Sequence, residues 1–328
     1  MLFNRRKDGK LVKGGDPMMH IMPYVMRGRN ESAVYYGKSF CVENIQEYIR
    51  EKRREGKRIT LFNVIVSALL HTLYRRPHLN RFVAGRKLYQ RNTMDVLYVV
   101  KTLMTDEGVE SVAKITSDGH DTLEDVTKMM SEHISYIKDG QSKSDDRLIG
   151  FATKLPRFLI RSVLWLVRIL DFHGLMPKVL MDNIPLYSSV FISHMGSLGA
   201  EAPFHHLYEF GTTSIFCTIG KIYKKPYQNV ASGELEWKKT IDISISIDER
   251  ICDGFYLIKS LRLFETYIDD PYLLEQSPIE LDLEYKHKLR QYKKHYDGDS
   301  ESFLEDYWEN MMAEADGNKS NGQSEEKL

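Results

Sequence analysis

The residues most able to do chemistry cluster between positions 243 and 261, in the stretch ISIDERICDGFYLIKSL. Asp248, Glu249, Arg250 and Asp253 fall within six positions, after a run that alternates apolar and polar and before one with helical spacing. A carboxylate in such a strand-to-helix turn can take a proton, and a guanidinium beside it can hold a charge in place. Other candidates stand alone. His194 follows Ser193 in an apolar stretch, and neighbours on a strand face opposite ways, so the two should not share a site. His205 and His206 read as surface loop residues, and no third ligand stands at a recognisable spacing, which argues against a metal centre. Cys252 reads as apolar filler, because a nucleophilic thiol needs an adjacent base and none is evident.

Elements that could position these groups follow from periodicity. Ile241, Ile243, Ile245 and Ile247 alternate with Asp242, Ser244 and Ser246, so 235–248 reads as a strand with one packed and one polar face. Leu257, Ile258, Leu261, Phe264 and Ile268 then mark a helix over 255–268. Further strands are expected at 34–42, 94–103, 109–115, 188–193 and 214–222, with a hairpin formed by 82–84 and 87–89 about Gly85. Residues 43–55 read as an amphipathic helix. Thr60 is placed to cap a second helix, LFNVIVSALLHTLYRR, apolar nearly all round and hence buried on several sides, which Pro77 ends. Asp121 is taken as the cap of a helix whose Leu123, Val126, Met130, His133, Ile134 and Ile137 share a face, His133 being a packing residue there. Residues 139–150 read as an exposed loop. The segment RFLIRSVLWLVRILDFHGLMP, 157–177, is too short to cross a bilayer and is interrupted by Arg161 and Arg168. It reads as a helix packed on the body of the protein or on a sister subunit, as an interfacial helix making a peripheral membrane contact through 157–172, or as a lid over an acyl-binding groove.

Composition removes several classes. The chain has 328 residues with 46 Lys+Arg against 46 Asp+Glu, and this zero net charge excludes nucleic-acid binding through a general basic field. Three scattered cysteines without a C-x-x-C pair imply a reduced, cytoplasmic protein with neither disulfide frame nor structural zinc. The amino-terminal MLFNRRKDGK has no apolar core of a signal peptide. Residues 1–22 read as an irregular arm, 23–275 as one α/β body, and 276–328 as a charged extension that is disordered at its end.

Four motifs in register carry a resemblance. D-E-R-I-C-D-G at 248–254 resembles the D-H-R-x-x-D-G of dihydrolipoamide acyltransferase catalytic domains, the family that also includes chloramphenicol acetyltransferase. PHLNRFVAGRKL (77–88) resembles the family's P-x-L-N and hairpin, VFISHMGSLG (190–199) its T-I-S-N-x-G strand, and SIFCTIGKI (214–222) the strand after it. The similarity spans roughly 20–275. One fixed position departs: Glu249 stands where the family has its catalytic histidine.

The resemblance implies an α/β two-layer sandwich with a mixed β-sheet, the CoA-dependent acyltransferase (chloramphenicol acetyltransferase-like) fold. It implies a homotrimer with sites between subunits, coenzyme A as a substrate, and a small-molecule thiol or hydroxyl acceptor. Carried over by position, Glu249 is the base, Ser193 the hydrogen-bond donor to the oxyanion, and Asp253 a structural anchor held by Arg27 or Arg29. Glutamate's reference pKa lies about 2 units below histidine's, which at a Brønsted slope near one half costs about tenfold in rate. Burial of the carboxylate would return part of that loss. The alternative is a catalytically inactive member, a trimeric scaffold or ligand-binding module. About 20 residues precede the body, too few for a lipoyl domain, so a stand-alone protein without a lipoyl attachment site or metal is expected.

Overall fold

Strand β10 (Leu235–Asp248) organises the molecule. This is a computed structural model, which describes residues 6–101, 110–138, 155–228 and 233–293. The alternation in β10 is realised as expected: Ile241, Ile243, Ile245 and Ile247 enter the main hydrophobic core, and the intervening residues take the opposite face. Strand β2 (Ala33–Cys41) pairs with β10 antiparallel along one edge. The other edge is shared by β9 (Tyr223–Gln228), against the first half of β10, and β8 (Ile215–Ile219), against the second. Beyond β8 come β7 (Val190–His194) and β5 (Met94–Lys101), both added in parallel, and then β6 (Glu110–Ser117), antiparallel to β5. The sheet is therefore mixed. A smaller antiparallel sheet holds β1 (Gly9–Leu11), β4 (Lys87–Arg91) and β3 (Arg81–Ala84).

Helices α2 (Glu43–Arg54), α3 (Leu61–Arg75), α4 (Leu123–Lys138) and α7 (Gly254–Asp269) contribute to the core on the isoleucine face. The α3 residues Val64, Ile65, Val66, Ala68, Leu70 and Leu73 are all buried, which no single stripe would allow, so α3 is the central helix of the layer. Its start is fixed by a capping box in which Thr60 and Asn63 exchange side-chain-to-backbone bonds. Truncating one of the β10 isoleucines to alanine would cost about 2–5 kcal/mol.

The structure corrects several sequence expectations. The arm 1–22 is not irregular throughout: Gly9–Leu11 forms β1, and Asp16 caps helix α1 (Pro17–Val25), whose first residue is Pro17. A three-residue strand is too short to show a period, and the proline suits a first helical position. Thr122, not Asp121, begins α4, exchanging bonds with Asp125. Strand β9 carries little sequence signal, because Lys224, Lys225 and Pro226 have low β propensity. The extension begins with helix α8 (Pro278–Lys293), and its Leu281 packs on the core. The loop expected at 139–150, and the end of the 276–328 extension, expected to be disordered, lie outside the described residues.

Candidate active site

β10 ends in a buried ion pair. Asp248 is fully buried and the Arg250 side chain is 2% exposed. Arg250 Nε donates to Asp248 Oδ1 at 2.8 Å and Nη2 to Oδ2 at 2.7 Å, a two-pronged geometry that fixes both planes. Arg250 Nη1 donates to the carbonyl of Met26 at 2.9 Å. Glu249 lies between these two inward-facing residues. Its N–H donates to Ser32 O at 3.0 Å, and its side chain is turned out to solvent. The protomer therefore supplies none of the burial that would strengthen a carboxylate as a proton acceptor.

Asp253 is the N-cap of α7, accepting the Tyr256 N–H at 2.8 Å. No ion pair joins it to Arg27 or Arg29. Arg29 instead donates to the carbonyls of Glu209 and Val83, and the motif's buried carboxylate–guanidinium pair is Asp248 with Arg250. The sequence signal for this was present, since Asp248 and Arg250 share a face at i, i+2 beside Glu249.

Ser193 sits near the end of β7, half-buried, on the face that holds Phe191. Its register partner is Thr218 of β8, which in turn faces Ser244 of β10, giving a row of three hydroxyl residues across the sheet. His194 takes the helix face, stacked on Phe62 with ring centroids 5.1 Å apart, and burial lowers its pKa. Serine and histidine thus point apart, as strand geometry requires. The following turn is possible only because Gly196 is a glycine: a Cβ there would lie 2.3 Å from Gly220 O.

Ser193 and Glu249 do not meet within the protomer. Glu249 is five residues beyond Ser244 along β10, and Ser193 is two strands away, which separates their Cα atoms by roughly 19 Å. His205 is nearer the serine. Its ring lies flat on Phe216, 3.9 Å between centroids, and its carbonyl accepts the Ser246 hydroxyl. His205 is not the surface loop residue expected from sequence: its loop folds back over the polar face of β10 and half-buries it. His206 stays exposed. The Cys252 thiol is buried and its pKa is pushed up to about 12, so it stays protonated. Among the described residues no group of three or more His, Cys, Asp or Glu could hold a metal ion.

No protein-family model matches the chain, and no curated protein sequence does. Solved structures do match. A probable dihydrolipoamide acetyltransferase from Listeria monocytogenes aligns at a TM-score of 0.50 and 15% identity, covering 80% of this chain and 95% of that one. The cubic core of the pyruvate dehydrogenase multienzyme complex aligns at 0.52 and 14%, covering 80% and 94%. The Azotobacter vinelandii dihydrolipoamide acetyltransferase gives the same values, 0.52, 14%, 80% and 94%. The chain has the dihydrolipoamide acetyltransferase catalytic-domain fold. At these identities the likeness is one of architecture.

On this acetyltransferase fold, helix α5 (Arg157–His173) is unusual, because it has no buried residue. Phe158 is 71% and Trp165 64% exposed. Only one edge, through Val167, reaches the small cluster of Met176, Tyr187 and Met181, the last on helix α6 (Lys178–Asn183). Packing of its apolar face on the body of the protein, one of the sequence expectations, is not what the protomer shows. Among the described residues no helix is long and apolar enough to cross a membrane.

Proposed function

We propose that this chain is a cytoplasmic acyltransferase that moves an acyl group between coenzyme A and a small thiol or hydroxyl acceptor, in a homotrimer whose sites lie between protomers. Residues 23–275 form the acyl-transfer unit in this reading. The observation that carries it is the placement of the D-E-R-I-C-D-G turn at the end of β10 in an acetyltransferase fold, with Glu249 alone of its first three residues facing outward. The Azotobacter enzyme, in which a serine, a histidine and an asparagine have been investigated for roles in the catalytic mechanism, has the last two four residues apart, as Glu249 and Asp253 are here.

Glu249 would take the proton of the attacking thiol or hydroxyl. Ser193 of a neighbouring protomer would donate to the oxyanion of the tetrahedral intermediate, while Asp253 holds the start of α7. On this reading a second copy of the chain bridges the roughly 19 Å that separate the two residues inside one protomer. Glutamate at the position of the family's histidine favours a second reading, an inactive scaffold or ligand-binding member. The two separate on one substitution. With acetyl-CoA and dihydrolipoamide as probes, Glu249→Ala abolishes transfer and Glu249→His raises it about tenfold if the site works. No transfer in any form, and no CoA binding by calorimetry, would establish the inactive reading.

A further inference from the structure

A cleft of about 520 Å³ opens beside the buried ion pair, and five arginines from four separate stretches of chain line it. Arg27 and Arg29 follow α1, Arg86 sits in the β3–β4 turn, Arg168 is on α5 and Arg250 closes the motif turn. Its size suits a small molecule. Two carboxylates, Asp171 and Glu209, share the lining, but both are already engaged. Asp171 accepts Arg6 Nη2 at 2.8 Å. Glu209 accepts the backbone N–H groups of Arg29 at 3.1 Å and Asn30 at 2.9 Å.

Burial alone would raise the pKa of Glu209; these two N–H donors and the Arg29 charge reverse that and hold it below the usual range. Arg250 is matched by Asp248. Arg27, Arg29, Arg86 and Arg168 have no carboxylate at ion-pair distance among the described residues.

Arg29 is the informative member. It is 6% exposed, its Nη1 and Nη2 donate only to neutral carbonyls, and its Nε is buried with no partner. Burial lowers the pKa of that guanidinium, and the charges of Asp248, Asp171 and Glu209 offset the desolvation cost only in part. Four unmatched arginines face Glu209, Glu31, whose carboxylate accepts the Arg27 and Gly28 N–H groups, and the one carboxylate that Arg6 leaves over from its pairing with both Asp8 and Asp171. Positive charge remains in excess, which suits a phosphoryl anion. Arginine's planar donors suit that group's several oxygens better than a single carboxylate.

We propose that this cleft binds a small phosphorylated molecule, with its phosphoryl group seated on Arg29 and clasped by Arg27, Arg86 and Arg168. The proposal does not depend on whether Glu249 supports turnover.

Isothermal titration of the full chain with pyrophosphate tests this. The expected result is one site per protomer with a Kd below roughly 1 mM. Arg27→Gln/Arg168→Gln, changing two exposed rim residues, weakens binding about tenfold or more with the melting temperature unchanged. Arg29→Met abolishes it, and the rim variant decides should Arg29→Met fail to fold. Arg54→Gln/Arg58→Gln, near the end of α2, leaves binding as in wild type. Inorganic phosphate and coenzyme A are titrated beside pyrophosphate. Tighter binding of coenzyme A, lost in the rim variant, assigns the phosphoryl group to a nucleotide-type ester; equal binding of all three assigns recognition to the phosphoryl group alone. Absence of saturable binding, equal loss in the α2 control, or tighter binding of succinate than of pyrophosphate would overturn the proposal.

Discussion

Replacing Arg250 with methionine leaves Asp248 fully buried with one remaining donor, the Arg250 N–H at 3.1 Å. Two charge-assisted bonds of 2.8 and 2.7 Å disappear, and the carbonyl of Met26 loses its donor. Breaking a buried pair from one side costs about 3–5 kcal/mol, because the surviving charge keeps its desolvation penalty without compensation. Urea denaturation followed by circular dichroism at pH 7 measures this directly. The double variant Asp248→Leu/Arg250→Met removes both charges and should lose less than Arg250→Met alone. That order of stabilities is the signature of a charge pair, as against simple packing. Arg250→Met within about 1 kcal/mol of wild type, or a double variant worse than both single ones, would refute the view that this pair holds the turn presenting Glu249.

Three further outcomes follow from the geometry. Gly196→Ala forces a Cβ against Gly220 O at 2.3 Å, so it should destabilise the chain by about 1–3 kcal/mol and displace the turn after Ser193, visible as a lower urea midpoint. Burial, with Arg81 and Arg76 nearby, lowers the pKa of His78 to about 4. The unfolded chain therefore takes up that proton first. Stability is intact above pH 6.5 and declines as pH falls from there toward 4, by about 1 kcal/mol after discounting for the ring's partial exposure, and His78→Gln removes that component from the urea midpoints. On the face of α5, Trp165→Asp should abolish co-sedimentation with anionic liposomes; equal pelleting of both proteins would exclude the membrane contact.

Much of the fold was legible because long elements carry strong periods. Ile241 through Ile247 declared both the strand and its buried face, and Thr60 with the apolar run after it declared α3. What escaped was short or depended on partners distant in sequence. Gly9–Leu11 acquires its strand character only from pairing with β4. His205 looked like a loop residue because its burial comes from Phe216 and from the Ser246 hydroxyl, which lies 41 positions away. The arginines of the cleft were unreadable as a group, since four stretches of chain bring them together. The motif turn is legible in its residue types, but the expected hold of Arg27 or Arg29 on Asp253 is not realised: Asp253 caps α7, and the carboxylate–guanidinium pair forms between the adjacent Asp248 and Arg250.

The central claim, that Ser193 and Glu249 act together across a contact between copies of the chain, is tested most directly by complementation. Ser193→Ala and Glu249→Ala are each made inactive, unfolded together in equal amounts and refolded, and acyl transfer is measured beside the homogeneous controls. If each site draws one residue from each of two neighbouring protomers, random assembly rebuilds an intact pair in about a quarter of the sites, and activity returns to about 25% of wild type. No recovery in a mixture whose mass shows that the variants have co-assembled would contradict the account.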